Sequence, residues 1–254
     1  MHPVIAAAVM GGLGLIFGSF IGAVSVRLPR DEDIVVARSR CRGCDQPLRA
    51  WELVPLFSWL ALRGRCARCS TRISQRYPLI ELAAGAVGIW SALWAAGGGT
   101  SVFLMAATAV LGWQLLLIAI VDGENFWLPD VLTLPLIATG LVVAICTSWD
   151  LALSHLIGGV VGFGGLWLVG WLYKAIRKRD GLGGGDPFLF AGAGAWVGWI
   201  GLPSVLLWSC AVGLSLVFGM LVVRRTVSGS EKLPFGVFLA VGIWLTWLYG
   251  PLGL

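Results

Sequence analysis

Residues 4–26 read VIAAAVMGGLGLIFGSFIGAVSV, an apolar run of 23 residues that contains no charged side chain. A helix needs about 20 mostly apolar residues to cross the hydrocarbon core of a bilayer, so this run predicts a transmembrane helix. It ends at the basic segment Arg27–Leu28–Pro29–Arg30, which is typical of a span that reaches the cytoplasmic side of a membrane.

The rest of the chain has the same apolar character. Apolar residues make up 58% of the 254 residues and charged residues only 12%, about half the charged share of an ordinary globular protein. A soluble core of this size cannot hide so much apolar surface. The composition excludes intrinsic disorder, a collagen-like repeat and a secreted disulfide scaffold. It predicts an all-α polytopic membrane protein that is surrounded by a lipid bilayer.

Further apolar runs give a total of about eight predicted transmembrane helices. We divide the chain into an N-terminal region, residues 1–95, with two spans and a Cys-rich loop (27–77), and a membrane region, residues 102–254. Within the loop, the apolar stretch 53–60 is expected either to form a small core element or to lie along the membrane surface. The runs after the first are 78–94, 102–121, 131–147, 151–173, 187–200, 202–223 and 234–249.

The positions of the basic residues predict the orientation of these spans. All eighteen Lys and Arg fall within 27–76, 174–179 and 224–232, and such an excess marks cytoplasmic loops. With eight spans, both termini then lie outside. The arginines of the first cluster alternate with cysteines instead of forming one continuous basic stripe, so we expect no nucleic-acid partner.

Four of the six cysteines form two Cys-x-x-Cys pairs in the loop, with twenty-one residues between the pairs. Four thiolates satisfy the tetrahedral preference of zinc and leave no open position for catalysis. Disulfides are disfavoured because the loop is assigned to the reducing cytoplasm. We therefore expect a structural zinc site, with free or redox-active thiols as the alternative. The expected ligands are Cys41, Cys44, Cys66 and Cys69.

Carboxylates near the ends of spans are the candidate catalytic groups, because ionisable residues at membrane depth are usually functional. Asp130 and Asp186 each precede an apolar run and would serve as helix N-caps, whereas Asp122 follows one, which the helix dipole disfavours. A paired-carboxylate site of Asp122 and Asp186 and a magnesium or proton-coupling site both fit. The glycine run 183–185 would let the backbone approach an extended substrate and adopt positive φ.

Several motifs in order resemble the prepilin peptidases, the type IV leader peptidase and N-methyltransferase family. Three positions depart from the usual family pattern: Gly22 stands where Asn is usual, Phe188 where Lys is usual, and Val237 where Pro is usual. The motifs that carry the resemblance are Gly18–Ser19–Phe20, Arg27–Leu28–Pro29, the cysteine loop with Arg76–Tyr77–Pro78–Leu79–Ile80–Glu81, Val121–Asp122 with 128–133, Gly183–Gly184–Gly185–Asp186, and Pro234–Phe235–Gly236.

The resemblance implies an aspartyl protease of a bacterial inner membrane, with both termini in the periplasm. Its catalytic pair would be Asp122 and Asp186, whereas Asp130 matches a residue without a catalytic role. The implied substrates are prepilins or pseudopilins of type IV pilus or type II secretion systems, which lose their leader peptide on the cytoplasmic side. The resemblance also implies that the new amino terminus is methylated with S-adenosylmethionine.

Two other classes of function compete with this one. A magnesium-dependent membrane transferase that acts on a lipid phosphate would hold its metal with Asp122, Glu124 and Asp130. It lacks support from His2 and His155, which lie far from these carboxylates in the sequence. A non-enzymatic assembly or transport protein would use the aspartates as helix caps and the cysteine loop as a docking module.

Overall fold

The computed structural model describes residues 2–34, 38–179, 181–224 and 233–253. Within these residues the secondary structure is helical, with two isolated β-bridges and no longer strand, so the all-α prediction is confirmed. The α-helices are α1 (Pro3–Arg27), α2 (Phe57–Ala61), α3 (Arg76–Gly98), α4 (Val102–Asn125), α5 (Asp130–Thr147), α6 (Trp149–Arg177), α7 (Asp186–Arg224) and α8 (Phe235–Tyr249). Two short 3₁₀ segments are Leu28–Arg30 and Ala50–Leu53.

In the described part of the chain, six helices are long and apolar enough to cross a membrane, namely α1 and α3 to α7. Helix α8 is apolar but has only 15 residues. Helix α7 combines the two runs predicted at 187–200 and 202–223, and its 39 residues lose helical geometry at Gly198, where φ is 69° and ψ is 175°. A kink at Gly198 therefore replaces the expected turn at Gly201, because glycine tolerates this positive φ. The count of eight spans stays a prediction.

The chain folds as two compact units, residues 1–113 and 114–254. In the first unit α1 packs against α3. A Cβ atom on Gly14 or Gly88 would collide with the backbone of the opposite helix, so these glycines let the two helices approach closely. Trp113 completes the contact, since its ring stacks on Phe17 at 4.4 Å and its Nε1 donates to the carbonyl oxygen of Ala84 at 2.9 Å.

The second unit is built around the first half of α7, which packs against α5, α6 and α8. Trp196 is buried at its centre and donates from Nε1 to the carbonyl oxygen of Leu136 on α5 at 2.9 Å. His155 on α6 lies 2.8 Å from the carbonyl oxygen of Ala195 through its Nδ1 atom. Trp196 and His155 thus find backbone partners, as a low-dielectric surrounding favours.

The loop between α1 and α3 belongs to the first unit and contains α2 and both cysteine pairs. Its apolar stretch 53–60 does not form a small core element, because Phe57 is 70% exposed and Leu60 is 63% exposed. No residue of α2 is buried. The alternative, that the stretch lies along the membrane surface, stays a prediction.

Candidate active site and candidate metal centre

Asp122 lies in the last turn of α4 and is buried. A carboxylate at the carboxyl end of its own helix is disfavoured by the helix dipole. The structure shows what compensates: the backbone N–H of Val237, in the first turn of α8, donates to Asp122 Oδ2 at 3.1 Å. Asp122 therefore sits at the amino end of α8, where unpaired N–H groups favour a negative charge.

Gly236 makes this contact with Asp122 possible. A Cβ atom on Gly236 would lie 2.8 Å from Oδ2 and 2.9 Å from Cγ of Asp122, closer than real Cβ atoms approach. The absence of a side chain in Pro234–Phe235–Gly236 thus lets the carboxylate reach the backbone of α8. Nothing local in the sequence connects this motif with Asp122, so only the resemblance pointed to it.

Asp186 is the first residue of α7 and is also buried. Its Oδ2 accepts the backbone N–H of Gly183 at 2.9 Å, and its own N–H donates to the carbonyl oxygen of Gly183 at 3.2 Å. An N-cap side chain would instead accept an N–H two or three residues further along the helix. Asp186 therefore does not act as an N-cap. It folds back onto the glycine run.

The glycine run 183–185 differs from the expectation of positive φ. None of its three residues has a positive φ. What the run requires is space, because a Cβ atom on Gly185 would collide with the carbonyl oxygen of Leu128, and one on Gly183 would lie 3.0 Å from Oδ2 of Asp186. Within the protein the run is closely approached by Leu128 and Asp186, and its approach to an extended substrate stays a prediction.

Of the acidic residues singled out in the second unit, the structure brings Asp122 and Asp186 together. Their carboxyl groups interact electrostatically, whereas Glu124 and Asp130 are exposed. Asp130 is not an N-cap either, because Pro129 occupies that position of α5. No group of three or more acidic ligands forms in the described residues, where the one metal-type cluster consists of cysteines. The Asp122, Glu124 and Asp130 magnesium site is therefore not supported.

The departing position Phe188 also has a structural explanation. Its ring packs edge-on against Phe163 of α6, with ring centroids 4.9 Å apart. The residue two positions after Asp186 therefore joins the packing between α6 and α7. It does not place a positive charge beside the carboxyl pair.

The four loop cysteines converge as the sequence predicted. All four Sγ atoms lie within 4.8 Å of one another, and those of Cys41 and Cys69 are 3.7 Å apart. Tetrahedral zinc with Zn–S bonds of about 2.3 Å would separate its sulfur ligands by about 3.8 Å. The donor set and the spacing therefore fit a closed four-sulfur metal site.

The two cysteine pairs use the same turn. In each turn the N–H of the first cysteine donates five residues ahead, from Cys41 to the carbonyl oxygen of Gln46 and from Cys66 to that of Thr71, at 2.9 Å in both cases. One β-bridge closes each turn, between Arg40 and Pro47 and between Arg65 and Arg72. The residue after each second cysteine, Asp45 or Ser70, has positive φ. Both turns thus present two sulfurs to one point, as the expected structural zinc site requires.

The thiols differ in acidity. The hydrogen bond with the Thr71 hydroxyl, 3.2 Å from Cys69 Sγ, is the largest cause that lowers the pKa of Cys69 to about 6. For Cys44, a hydrogen bond from the Gln46 backbone lowers the pKa, but burial and the neighbouring thiols raise it to about 11. Since the thiolate is the metal ligand, the loop already favours one ligand in its binding form.

Comparisons with known proteins identify the family of the chain. Residues 13–95 match the bacterial peptidase A24 N-terminal domain, and residues 109–218 match the type IV leader peptidase family. A curated protein of Stutzerimonas stutzeri, named prepilin leader peptidase/N-methyltransferase, is 38% identical over 94% of this chain and 89% of its own length. The chain belongs to the type IV leader peptidase family. This confirms the resemblance seen in the sequence.

Other members of the type IV leader peptidase family show similar coverage. Relatives with the same name are 36% identical in Pseudomonas aeruginosa, over 94% of this chain and 88% of their own, and 35% identical in Pseudomonas putida, over 98% and 93%. No solved structure matches the chain. The family segment 109–218 contains both Asp122 and Asp186, and the N-terminal match 13–95 contains the four loop cysteines.

Proposed function

We propose that the protein is a membrane aspartyl endopeptidase that removes the leader peptide of prepilins or pseudopilins and then methylates the new amino terminus. The observation that carries the peptidase is the pair Asp122 and Asp186. Both carboxyl groups are buried, they interact with each other, and each is fixed by a backbone N–H. A pair of helix caps would not need this mutual placement.

The chemistry of the pair follows from its electrostatics. Two close carboxyl groups cannot both ionise easily, so they share one proton and titrate as a coupled pair. The ionised aspartate takes a proton from a water molecule, and the water oxygen bonds to the scissile carbonyl carbon. The protonated aspartate stabilises the developing oxyanion and supplies a proton to the leaving nitrogen as the C–N bond breaks.

The hydrogen bonds at the pair fix its geometry. In both aspartates Oδ2 is the atom that accepts a backbone N–H, from Val237 for Asp122 and from Gly183 for Asp186. Backbone donors cannot rotate away as side chains can, so the two carboxyl groups are held before the substrate arrives. Such pre-organisation is the main source of electrostatic stabilisation in enzyme sites.

The methyl transfer requires a donor and an amine acceptor. S-adenosylmethionine would supply a methyl group on a positively charged sulfur, and the amine is also positively charged at neutral pH. A carboxylate favours such positive charges, and the first unit holds a buried one, Glu81. The residues present thus suit this chemistry.

We further propose that the loop cysteines hold structural zinc and that the protein lies in the bacterial inner membrane with both termini in the periplasm. The sulfur spacing supports the first statement, and the position of all basic residues in three segments supports the second. This orientation places the cysteine loop and the cytoplasmic ends of α4 and α7 on the same side of the membrane.

One cleavage assay tests the proposed peptidase. The parent, Asp122→Ala and Asp186→Ala proteins are compared in membranes with a prepilin-like substrate, at matched protein levels. We expect the two variants to lose almost all cleavage. Asp130→Ala is the control, because Asp130 is exposed at the start of α5, and it should cleave like the parent. Normal cleavage by either of the first two variants would overturn the assignment.

A further inference from the structure

Glu81 is the one buried charged residue among the described residues of the first unit, with 7% of its surface exposed. It lies in the second turn of α3. Its Oε2 accepts the backbone N–H of Leu56 at 2.8 Å, and the Ser19 hydroxyl forms a second hydrogen bond with the carboxyl group. Glu81 thus joins α3 to α1 and to the cysteine loop.

The backbone around Glu81 is strained and closely packed. Leu56 has φ of 60° and ψ of −51°, a backbone conformation that L-residues rarely adopt. Close packing holds α1 against the site as well, because a Cβ atom on Gly18 would lie 2.6 Å from Cα of Glu81. Residues held in sparsely populated conformations are concentrated at functional sites.

Among the described residues no cation forms an ion pair with Glu81. Among the described residues the ion pairs join Arg40 with Asp45 and Arg42 with Glu32, and neither includes Glu81. A carboxylate has about four acceptor positions, and the described residues supply two donors to it. A buried charge requires a partner. The unused acceptor positions of the Glu81 carboxylate therefore suit a cation that does not belong to the chain.

The hydroxyl groups of three other buried residues of the first unit, Ser25, Ser91 and Thr108, are bonded within their own helices. The hydroxyls of Ser91 and Thr108 donate to the carbonyl oxygens of Val87 and Leu104, at 2.8 Å each. The Ser25 hydroxyl donates to the carbonyl oxygen of Gly22 at 3.1 Å. Peptide hydrolysis uses the aspartates of the second unit, so Glu81 is left without a role in that reaction.

We propose that Glu81 binds the α-ammonium group of the cleaved peptide and accepts its proton for methyl transfer. The inference rests on the proposed methylation, which needs an unprotonated amine. The proton passes from nitrogen to a Glu81 oxygen, and the nitrogen lone pair then forms a bond with the methyl carbon of S-adenosylmethionine. The carbon–sulfur bond breaks with its electrons going to sulfur. The product is a methylated ammonium group, and Glu81 afterwards releases its proton to water.

The variant Glu81→Gln separates this role from a structural one. Its amide oxygen still accepts hydrogen bonds from Leu56 and Ser19, but it carries no charge and is not a base. We expect normal leader cleavage and a methylation rate at least about 100-fold lower, as is usual when a general base is lost. The control is Glu32→Gln, which removes an exposed carboxylate from the cysteine loop and should methylate normally.

Residual methylation by Glu81→Gln should depend on pH. Without the base, the reaction uses amine that has lost its proton to water, and an α-amino group has a pKa of about 7.7–8.0. The residual rate should therefore rise about tenfold for each pH unit below that value. The parent should show a weaker dependence, because Glu81 takes the proton at the site.

A binding measurement without S-adenosylmethionine gives an independent result. One peptide starts at the residue after the cleavage site with a free α-amine, and a second is the same peptide acetylated. The parent should bind the free amine more tightly, and Glu81→Gln should show no such preference. If Glu81→Gln fails to fold, Glu81→Asp keeps the charge and should keep the preference, and a folded Glu81→Asp without it would contradict the proposal.

The outcomes distinguish two failures. Equal methylation by the parent and by a folded Glu81→Gln protein would overturn the role of Glu81 and leave the proposed function intact. No methylation by the parent, with cleavage intact, would remove the proposed second activity and the role of Glu81 with it.

Discussion

The backbone N–H of Val237 donates to Oδ2 of Asp122 across 115 residues of sequence. This bond explains why a carboxylate is stable at the carboxyl end of α4, where its own helix dipole opposes it. The amino end of α8 supplies the positive potential that α4 does not. The backbone at Gly236 and Val237 therefore holds the carboxyl group of Asp122 in place.

Gly236→Ala should remove most cleavage without unfolding the protein. The new methyl group would enter the space of the Asp122 carboxyl group, 2.8 Å from Oδ2, and the carboxyl group must move to admit it. A displacement of about 1 Å at a reacting group costs about 100-fold in rate. Cleavage of a prepilin-like substrate at matched membrane levels measures the loss.

The control for Gly236→Ala is Gly219→Ala in α7. No atom lies within 4 Å of the position of the added methyl group there, and alanine favours a helix over glycine. This variant should cleave like the parent. Parent-like cleavage by Gly236→Ala would show that Asp122 does not depend on the close approach of α8.

The four-cysteine cluster predicts that the purified protein contains zinc. We expect about one zinc per chain, as a closed four-sulfur site binds it. The double variant Cys41→Ser, Cys66→Ser removes one ligand from each turn and should lose the metal. The matched control replaces Cys146 and Cys210, which lie in α5 and α7, and should keep it. Metal analysis of the purified proteins measures the zinc content of each variant. A zinc content equal to that of the parent in the Cys41→Ser, Cys66→Ser variant would rule out the site.

The acidity of the thiols predicts how the metal-free loop reacts with an alkylating reagent. The thiolate is the reacting form, and Cys69 with a pKa of about 6 is mostly thiolate at pH 7, whereas Cys44 with a pKa of about 11 is mostly thiol. After zinc is removed with a chelator, Cys69 should be modified first. Its rate should level off above about pH 6, and that of Cys44 should still rise at pH 9.

Mass spectrometry of peptides from the two turns measures both rates. Thr71→Val provides the control, because it removes the hydroxyl that lies 3.2 Å from Cys69 Sγ. In that variant the plateau for Cys69 should move to higher pH. Equal rates for Cys69 and Cys44 at pH 7 would contradict the difference in acidity.

The sequence predicted the features that depend on local composition. The length of each apolar run predicted the helices, and the Cys-x-x-Cys spacing predicted two turns whose sulfurs meet. Each of these signals is contained in a short, continuous stretch of sequence. The partner of Asp122 could not be predicted in this way, since α8 returns to α4 only through the packing of the second unit.

Some local expectations were wrong for physical reasons. The glycine run 183–185 was expected to adopt positive φ, but it is the space beside Leu128 and Asp186 that excludes a side chain. Asp130 was expected to cap α5, but the helix begins one residue earlier than that role requires, with Pro129 as its N-cap. Composition identifies a helix start more reliably than it identifies the residue that caps it.

The number of spans depends on α7. Its 39 residues would measure about 58 Å as one straight helix, about twice the hydrocarbon thickness of a bilayer. The break at Gly198 therefore favours two crossings. A reporter fused after Ser230, which lies outside the described residues, should then be cytoplasmic, and reporters after Gly98 and at the carboxyl terminus should be periplasmic. A periplasmic result at Ser230 would mean that α7 crosses once.

The last prediction is that Asp122 and Asp186 act as one unit. Asn keeps an oxygen that can accept the N–H of Val237 or Gly183, so either Asp→Asn change preserves the observed hydrogen bonds but removes the ionisable group. If the pair shares one proton and activates one water, each single change should abolish nearly all cleavage. The double change should cost little more than either single, because residues that act as a unit are not additive.

Rates for the parent, both single variants and the double variant form a complete cycle, with Asp130→Asn as the exposed control. A helix-capping role would give a different pattern, since Asn caps about as well as Asp and cleavage would persist. Two independent roles would make the losses multiply in the double variant. The coupled pair is the arrangement in which both singles fail and the double adds almost nothing, so the cycle tests the catalytic assignment more sharply than any single substitution.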